Sequence, residues 1–433
     1  MLAQDLRPEL RWLSAGFLLV FCSAFGQTYF IAIFAGDIKA ALSLTDGAFG
    51  TIYMAGTLAS AALLVWGGRL ADRLPVRWLG AGTLAGLALA AVGMASVTST
   101  WMLAVAVFGL RFFGQGMLTT VAMTAMARWF VRRRGRAISI AALGFPAAEA
   151  ALAIAAVAAV GFVGWRATWL LIAALLVAVA APALIALLRH GERTPPALPA
   201  ASPAASPAAP AAPASPVPVS PAPGFPTASP ADARRDWTRG EMLRSPLFYA
   251  LLPGLLAMPL VFTGVFFNQV AVVELKGWEL AWFAAAFPVL AGANVLSALA
   301  AGWLIDRIGA RRLLPVSLVP QGLSILLLVF AGGVWVLPVF MALAGVAVGL
   351  AATVQGALLA ELYGTRHLGA IRAAVVAAMV FATALAPAVI GLLLDAGVPL
   401  AAQLGAMAVF CFAAAAWTAA LIPRLDRLAA EGR

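Results

Sequence analysis

Apolar residues in this chain are gathered into long unbroken runs, separated by short polar and basic clusters. A helix needs about 20 apolar residues to cross a hydrocarbon core about 30 Å thick, and twelve runs qualify: 12–36, 47–68, 77–98, 101–127, 137–160, 167–189, 247–272, 280–303, 312–332, 335–360, 368–394 and 398–422. They predict an all-α membrane protein. No stretch sustains the period-two alternation of a membrane β-barrel strand. The first run, about 25 residues long, exceeds a signal-peptide core and is predicted to remain as the first spanning helix.

One interruption differs in kind. Between the sixth and seventh runs, 13 prolines fall among the 36 residues from Pro195 to Pro230, a composition that forms no core and suits an extended tether. The predicted organisation is a six-helix bundle at 1–189, a cytoplasmic Pro/Ala-rich linker at 190–245, a second six-helix bundle at 246–423 and a tail at 424–433. Arg234, Arg235, Arg239 and Arg244 follow the proline tract and are predicted to lie against anionic headgroups.

Charge then fixes orientation. Only 10% of the 433 residues are charged and the mean hydropathy is +0.99, which excludes a soluble globular protein. A net charge of +11 would suit nucleic acid, but no basic face with interleaved aromatics accompanies it. Of the 28 Lys and Arg, three (Lys39, Arg166, Lys276) fall in loops opposite the termini and Arg111 lies inside a span. All the others lie on the side of the termini, and the positive-inside rule makes that side cytoplasmic. The predicted location is a cell inner membrane. Cys22 and Cys411 are both within spans, so neither a disulfide framework nor a metal site is expected. Walker-type loops, metal-ligand clusters and catalytic dyads are missing from the soluble segments, so no cofactor and no enzymatic activity are expected.

Two loops repeat each other. Gly68-Arg69-Leu70-Ala71-Asp72-Arg73-Leu74-Pro75-Val76-Arg77 returns as Gly302-Trp303-Leu304-Ile305-Asp306-Arg307-Ile308-Gly309-Ala310-Arg311-Arg312, with Asp72 and Asp306 separated by 234 residues in equivalent places of the two halves. Such a turn allows close helix approach at the Gly, sets an Asp where it meets an Arg or a helix N-terminus, and holds cations at the membrane surface. Duplicated turns in duplicated halves point to a transporter.

The repeated stretch resembles the loop between helices 2 and 3, and its echo between helices 8 and 9, of the major facilitator superfamily. The second copy fits that pattern fully. In the first, Pro75 replaces the usual Gly and Val76 the usual basic residue. The resemblance implies twelve helices in two pseudo-symmetric six-helix bundles, a substrate cavity between them, and gating by Gly68, Asp72, Arg73, Gly302, Asp306 and Arg307. Phe130, Arg132, Arg133, Arg134, Ala137, Ala141 and Gly144 also fall in register with the helix-5 signature of monocarboxylate transporters, while Arg136, Ser139 and Leu143 depart from it. That family's helix-1 signature and its basic residue in helix 8 are absent. Leu110-Arg111-Phe112-Phe113-Gly114-Gln115-Gly116 is similar to the superfamily's helix-4 Arg/Gly pattern, with glycines at offsets three and five where four and six are usual. Gly144-Phe145-Pro146-Ala147-Ala148-Glu149 looks like a degenerate antiporter helix-5 motif.

Gln27 and Tyr29 in span 1, Gln115 in span 4, Asn268 and Gln269 in span 7, Asn294 in span 8 and Gln355 in span 10 are candidates to line a pathway, or to serve as polar glue between helices. Pro253, Pro259, Pro288 and Pro387 are expected to bend their helices. Arg111 and Glu149 carry the sharpest expectation. At 1.5 Å per residue both lie near the bilayer centre, where a charge costs about 2.5–3.5 kcal/mol or more, so they are expected to pair. An anion taking Arg111 would then leave Glu149 to pick up a proton. The function expected is secondary transport of a small, monocarboxylate-like organic anion by alternating access with proton symport. Its partners are the anionic substrate, the proton and the lipid bilayer, with no nucleic acid. The alternatives are proton-antiport efflux of a neutral or cationic amphiphile and, in another class, a transporter-like sensor or scaffold.

Overall fold

The computed structural model describes residues 9–130, 133–189, 236–364 and 366–431, with the side chains of Arg69, Asp72 and 427–431 outside that set. The Pro195–Pro230 tract, Arg132, Arg234 and Arg235 therefore lie outside the described residues.

The described chain is helical throughout. Ten helices are long and apolar enough to span. The longest apolar stretch, Arg134–Leu187, reverses at Gly164 (φ 78°, ψ 164°) and so contributes two crossings. A further helix at the start is broken into shorter pieces. Twelve crossings result. They are α1 (Leu10–Ser23, Ala24–Gly26, Thr28–Ile33 and Ala35–Leu42), α2 (Asp46–Arg73), α3 (Val76–Ala95) and α4 (Thr100–Gly109, Leu110–Leu118 and Thr119–Trp129). α5 (Arg134–Ala142, then 144–163) and α6 (165–175, Leu176–Ala180 and Ala181–Leu187) complete the first half. The second half holds α7 (Pro246–Phe267 and Gln269–Lys276), α8 (Leu280–Ala285 and Phe287–Ile308), α9 (Ala310–Phe330), α10 (Val336–Tyr363), α11 (Leu368–Asp395) and α12 (Leu400–Glu431). A short helix, Arg239–Arg244, precedes α7 and starts with a capping box between Thr238 and Glu241.

Boundaries differ from the sequence reading where helices fold on themselves. α1 runs on past residue 36, and the gap expected between the fifth and sixth runs shrinks to one glycine, because a positive-φ residue reverses the chain at once. Prolines are not what break α1 and α7. Pro253 and Pro259 sit inside a continuous helix, whereas the breaks fall at Gln27 (φ −81°, ψ 153°) and Asn268 (φ −95°, ψ 23°). At the second break the Asn268 amide donates to the Gly264 carbonyl at 2.8 Å, giving that carbonyl a partner inside the bilayer. Pro288 does lie beside a break, at Ala286.

The packing is asymmetric across the membrane. One apolar core joins all six helices of the first half to the parts of α7 to α12 farthest from the termini, including Phe267, Phe283, Phe287 and Phe340. A separate core, with Leu251, Leu314, Leu358 and Ile371, holds the second half together near the termini. The halves are thus fused toward the face opposite the termini, the far face, and parted toward the terminal face. The three far-face cations are all engaged. Lys39 pairs with Asp46, Arg166 donates to the Ala95 and Val97 carbonyls at the end of α3, and Lys276 donates to the Val329 and Ala331 carbonyls at the end of α9.

Candidate functional site

The midplane site begins with two glycines. A Cβ on Gly26 would sit 2.1 Å from the Leu110 carbonyl oxygen, and one on Gly114 would sit 2.7 Å from the Gly26 Cα, so α1 and α4 cross backbone against backbone. Around that crossing α4 widens into a π-helical segment, Leu110–Leu118. Such a widened turn changes the phase of the residues after it.

Arg111 lies in that segment with only 3% of its surface exposed. Its Nη1 donates to the Gly26 carbonyl and to the Thr28 hydroxyl, both at 3.2 Å. The Tyr53 hydroxyl donates to the same Thr28 oxygen at 2.7 Å, and the Tyr53 ring lies 5.4 Å from the guanidinium. The break in α1 is therefore pinned by α4 and α2 together. Arg111 Nε is buried without a hydrogen-bond partner.

Glu149 is 1% exposed on α5, within electrostatic reach of Tyr29. Its Oε2 and the Tyr29 hydroxyl are both buried without partners. The ion pair expected between Arg111 and Glu149 is not formed, because the guanidinium turns to the carbonyl and hydroxyl that the α1 break presents. Both halves meet at this level. Gln269, fully buried beside the α7 break, donates through Nε2 to the Tyr29 carbonyl at 2.8 Å. The Tyr29 ring lies 5.3 Å from Phe287, and Tyr53 lies 4.6 Å from Phe267.

Of the sequence-predicted pathway residues, Gln27 and Gln115 are half-buried at the α1–α4 crossing. Tyr29 and Asn268 are buried, the latter bonded to its own helix. Asn294 is half-buried on α8, where Gly349 of α10 packs on its carbonyl. Gln355 is turned to the Met379 sulfur at 2.8 Å. Sequence reasoning missed Thr28 and Tyr53. The polar pair Gln27-Thr28 following Gly26 was the available signal for the first.

The repeated turns lie at the parted face. A Cβ on Gly68 or Gly302 would meet nothing within 4 Å, so the close approach expected at these glycines is absent in this state, in keeping with the separation of the halves there. Arg73, Asp306 and Arg307 are exposed, with Arg307 3.7 Å over the Trp303 ring. The Asp72 side chain lies outside the described residues. Downstream, Arg311 joins Glu361 at 3.3 Å and Asp426 at 3.0 Å, locking α9, α10 and α12 together. In the first half Arg128 donates to the Ala71 carbonyl at 3.0 Å.

The family model described as Major Facilitator Superfamily matches residues 16–304 and 279–431. No curated protein sequence matches. Among solved structures, the chain is similar to a bacterial homologue of the human lysosomal transporter Spinster in an inward-facing and unoccupied conformation, with a TM-score of 0.70 at 14% identity over 98% of both chains. It is also similar to the nucleoside transporter NupG, with a TM-score of 0.63 at 14% identity over 97% of this chain and 98% of that one. At such identities the likeness speaks for the fold.

Proposed function

For this chain, which belongs to the major facilitator superfamily and has that family's fold for secondary transport by alternating access, we propose that the substrate is a small, monocarboxylate-like organic anion carried together with a proton. The observation that carries this reading is a buried guanidinium with no carboxylate partner and with Nε unsatisfied. A guanidinium offers donors in a fixed fork that suits a planar oxyanion. With Nη1 held by Gly26 and Thr28, the anion meets the Nε side of Arg111 while Gln27 and Gln115 flank it.

Glu149 supplies the proton site in this reading. An unpaired carboxylate and an unpaired guanidinium at the midplane each carry a desolvation cost, and an anion on Arg111 with a proton on Glu149 removes both. Opposite access is then reached with no uncompensated charge in the core. The terminal face, which carries nearly all the cations, is assigned to the cytoplasm of a cell inner membrane. The 190–245 segment acts as the tether between the bundles, and the Asp72 and Asp306 turns brace the terminal face when it closes.

The test is uptake of labelled monocarboxylates into proteoliposomes with and without an imposed pH gradient. Accumulation above equilibrium driven by the proton gradient, abolished in Glu149→Gln, is the expected result. Gradient-independent behaviour for every carboxylate tried, with exchange of a neutral or cationic amphiphile instead, would overturn the reading.

A further inference from the structure

The far face is closed by a contact between α2 and α11. α2 starts after Thr45, whose Oγ1 accepts from the Ala48 N–H at 3.2 Å. The next free donor, the Gly47 N–H, is taken by the Asp395 carboxylate at 3.0 Å, from a residue 348 positions away in the other half. The backbones touch around it. A Cβ on Gly391 would lie 2.3 Å from the Asp46 carbonyl oxygen, one on Gly50 2.4 Å from the Pro387 carbonyl oxygen, and one on Gly47 2.5 Å from the Asp395 carboxylate.

Asp395 is badly placed for its own helix. It is the last residue of α11, where the unpaired carbonyls repel an anion, whereas the exposed N–H groups at the start of α2 attract one. Asp46 stands one residue from the Gly47 donor and would repel a second carboxylate, but Lys39 pairs with it. The arrangement removes a like charge from the spot that Asp395 occupies.

We infer that Asp395 is a positioning residue for transport: its carboxylate caps α2 of the opposite half when the far face is closed and loses that cap when the far face opens. On opening, the charge is left at the unfavourable end of its own helix without that cap, so the contact favours the closed state by the worth of the cap. Lys39 assists by neutralising Asp46. The inference rests on alternating access and is independent of which substrate or coupling ion is used.

The test uses the full chain in proteoliposomes with Cys22 and Cys411 replaced by Ala and a reporter, Ala35→Cys, which lies in the closed far-face cleft beside Phe49 and Phe267. Labelling by a membrane-impermeant maleimide follows the fraction of time the far face is open. Asp395→Leu and Lys39→Met should each speed labelling about tenfold or more, the worth of a charge-assisted hydrogen bond. Asp395→Asn, which keeps an acceptor, should speed it less than Asp395→Leu. A second reporter at Gln355→Cys, on the other side of the midplane, should label more slowly in the same variants. Loosening of the whole fold would instead speed both reporters, and that outcome overturns the inference. So does an unchanged Ala35→Cys rate in Asp395→Leu. Should Asp395→Leu fail to fold, Lys39→Met decides: unchanged labelling there also overturns it.

Discussion

Replacing Arg111 by Lys keeps the charge and removes the fork. In the structure one guanidinium nitrogen is spent on the Gly26 carbonyl and the Thr28 hydroxyl, at 3.2 Å each, and Nε stays unpartnered. A single ammonium cannot hold the α1 break and also offer two parallel donors to a carboxylate. Whichever role it keeps, one hydrogen bond to a charged group is lost from the loaded state, worth about 1.5–3 kcal/mol. At 1.4 kcal/mol per factor of ten, the half-saturation concentration for a carboxylate substrate should rise about 10- to 150-fold. Counterflow exchange in proteoliposomes, which needs no driving gradient, measures this without net proton movement. Thermal stability in detergent should fall far less, because the ammonium still reaches Gly26 or Thr28. A half-saturation constant within threefold of wild type, in a folded Arg111→Lys protein, would refute the assignment of the anion to Arg111.

Glu149→Gln, which mimics the protonated carboxyl, should retain counterflow exchange and lose accumulation driven by a pH gradient; continued concentration of substrate under a proton gradient alone would make Glu149 structural. Gly26→Ala should lower the melting temperature and folded yield markedly, since its Cβ would meet the Leu110 carbonyl oxygen at 2.1 Å and overpacking costs about 1–3 kcal/mol or more. Gly68→Ala, with nothing within 4 Å in this state, should fold normally and impair transport, an outcome read by comparing melting with uptake. Cysteines placed at Glu279 and Arg312, both exposed at opposite faces, should label from outside and from inside the cell respectively; labelling of position 312 in intact cells would reverse the orientation.

The spans were legible because bilayer thickness acts on a long window of residues, and a few misjudged positions do not disturb it. The depth of Arg111 and Glu149 followed from the same counting. Their failure to pair was not legible, since it depends on where α1 breaks. That break carries no proline, and it turns the Gly26 carbonyl and Thr28 hydroxyl toward α4 more closely than Glu149 approaches. Tyr53 joins the group only through the tertiary approach of α2, which no local pattern announces. The π-helical segment at Leu110–Leu118 was not legible either, since a widened turn calls for longer spacings and the glycine offsets after Arg111 are shorter than the family's. Nothing in the local sequence marks Asp395, because its partner is a backbone N–H in the other half.

The helix ends capped by Arg166 and Lys276 bear on how the two halves have diverged. α3 and α9 hold the same place in their bundles, and each has its last carbonyls bound by a cation. The cation comes from the start of α6 in one half and from the end of α7 in the other. A superposition of the halves would bring the two charged groups to equivalent carbonyls from different helices, Arg166 in the place of the beginning of α12 and Lys276 from the end of α7. What the duplication handed down is the demand for a donor at that spot, while the residue that meets it was found separately on each side. Symmetry in this molecule is therefore better sought among the carbonyls that need partners than among the side chains that serve them.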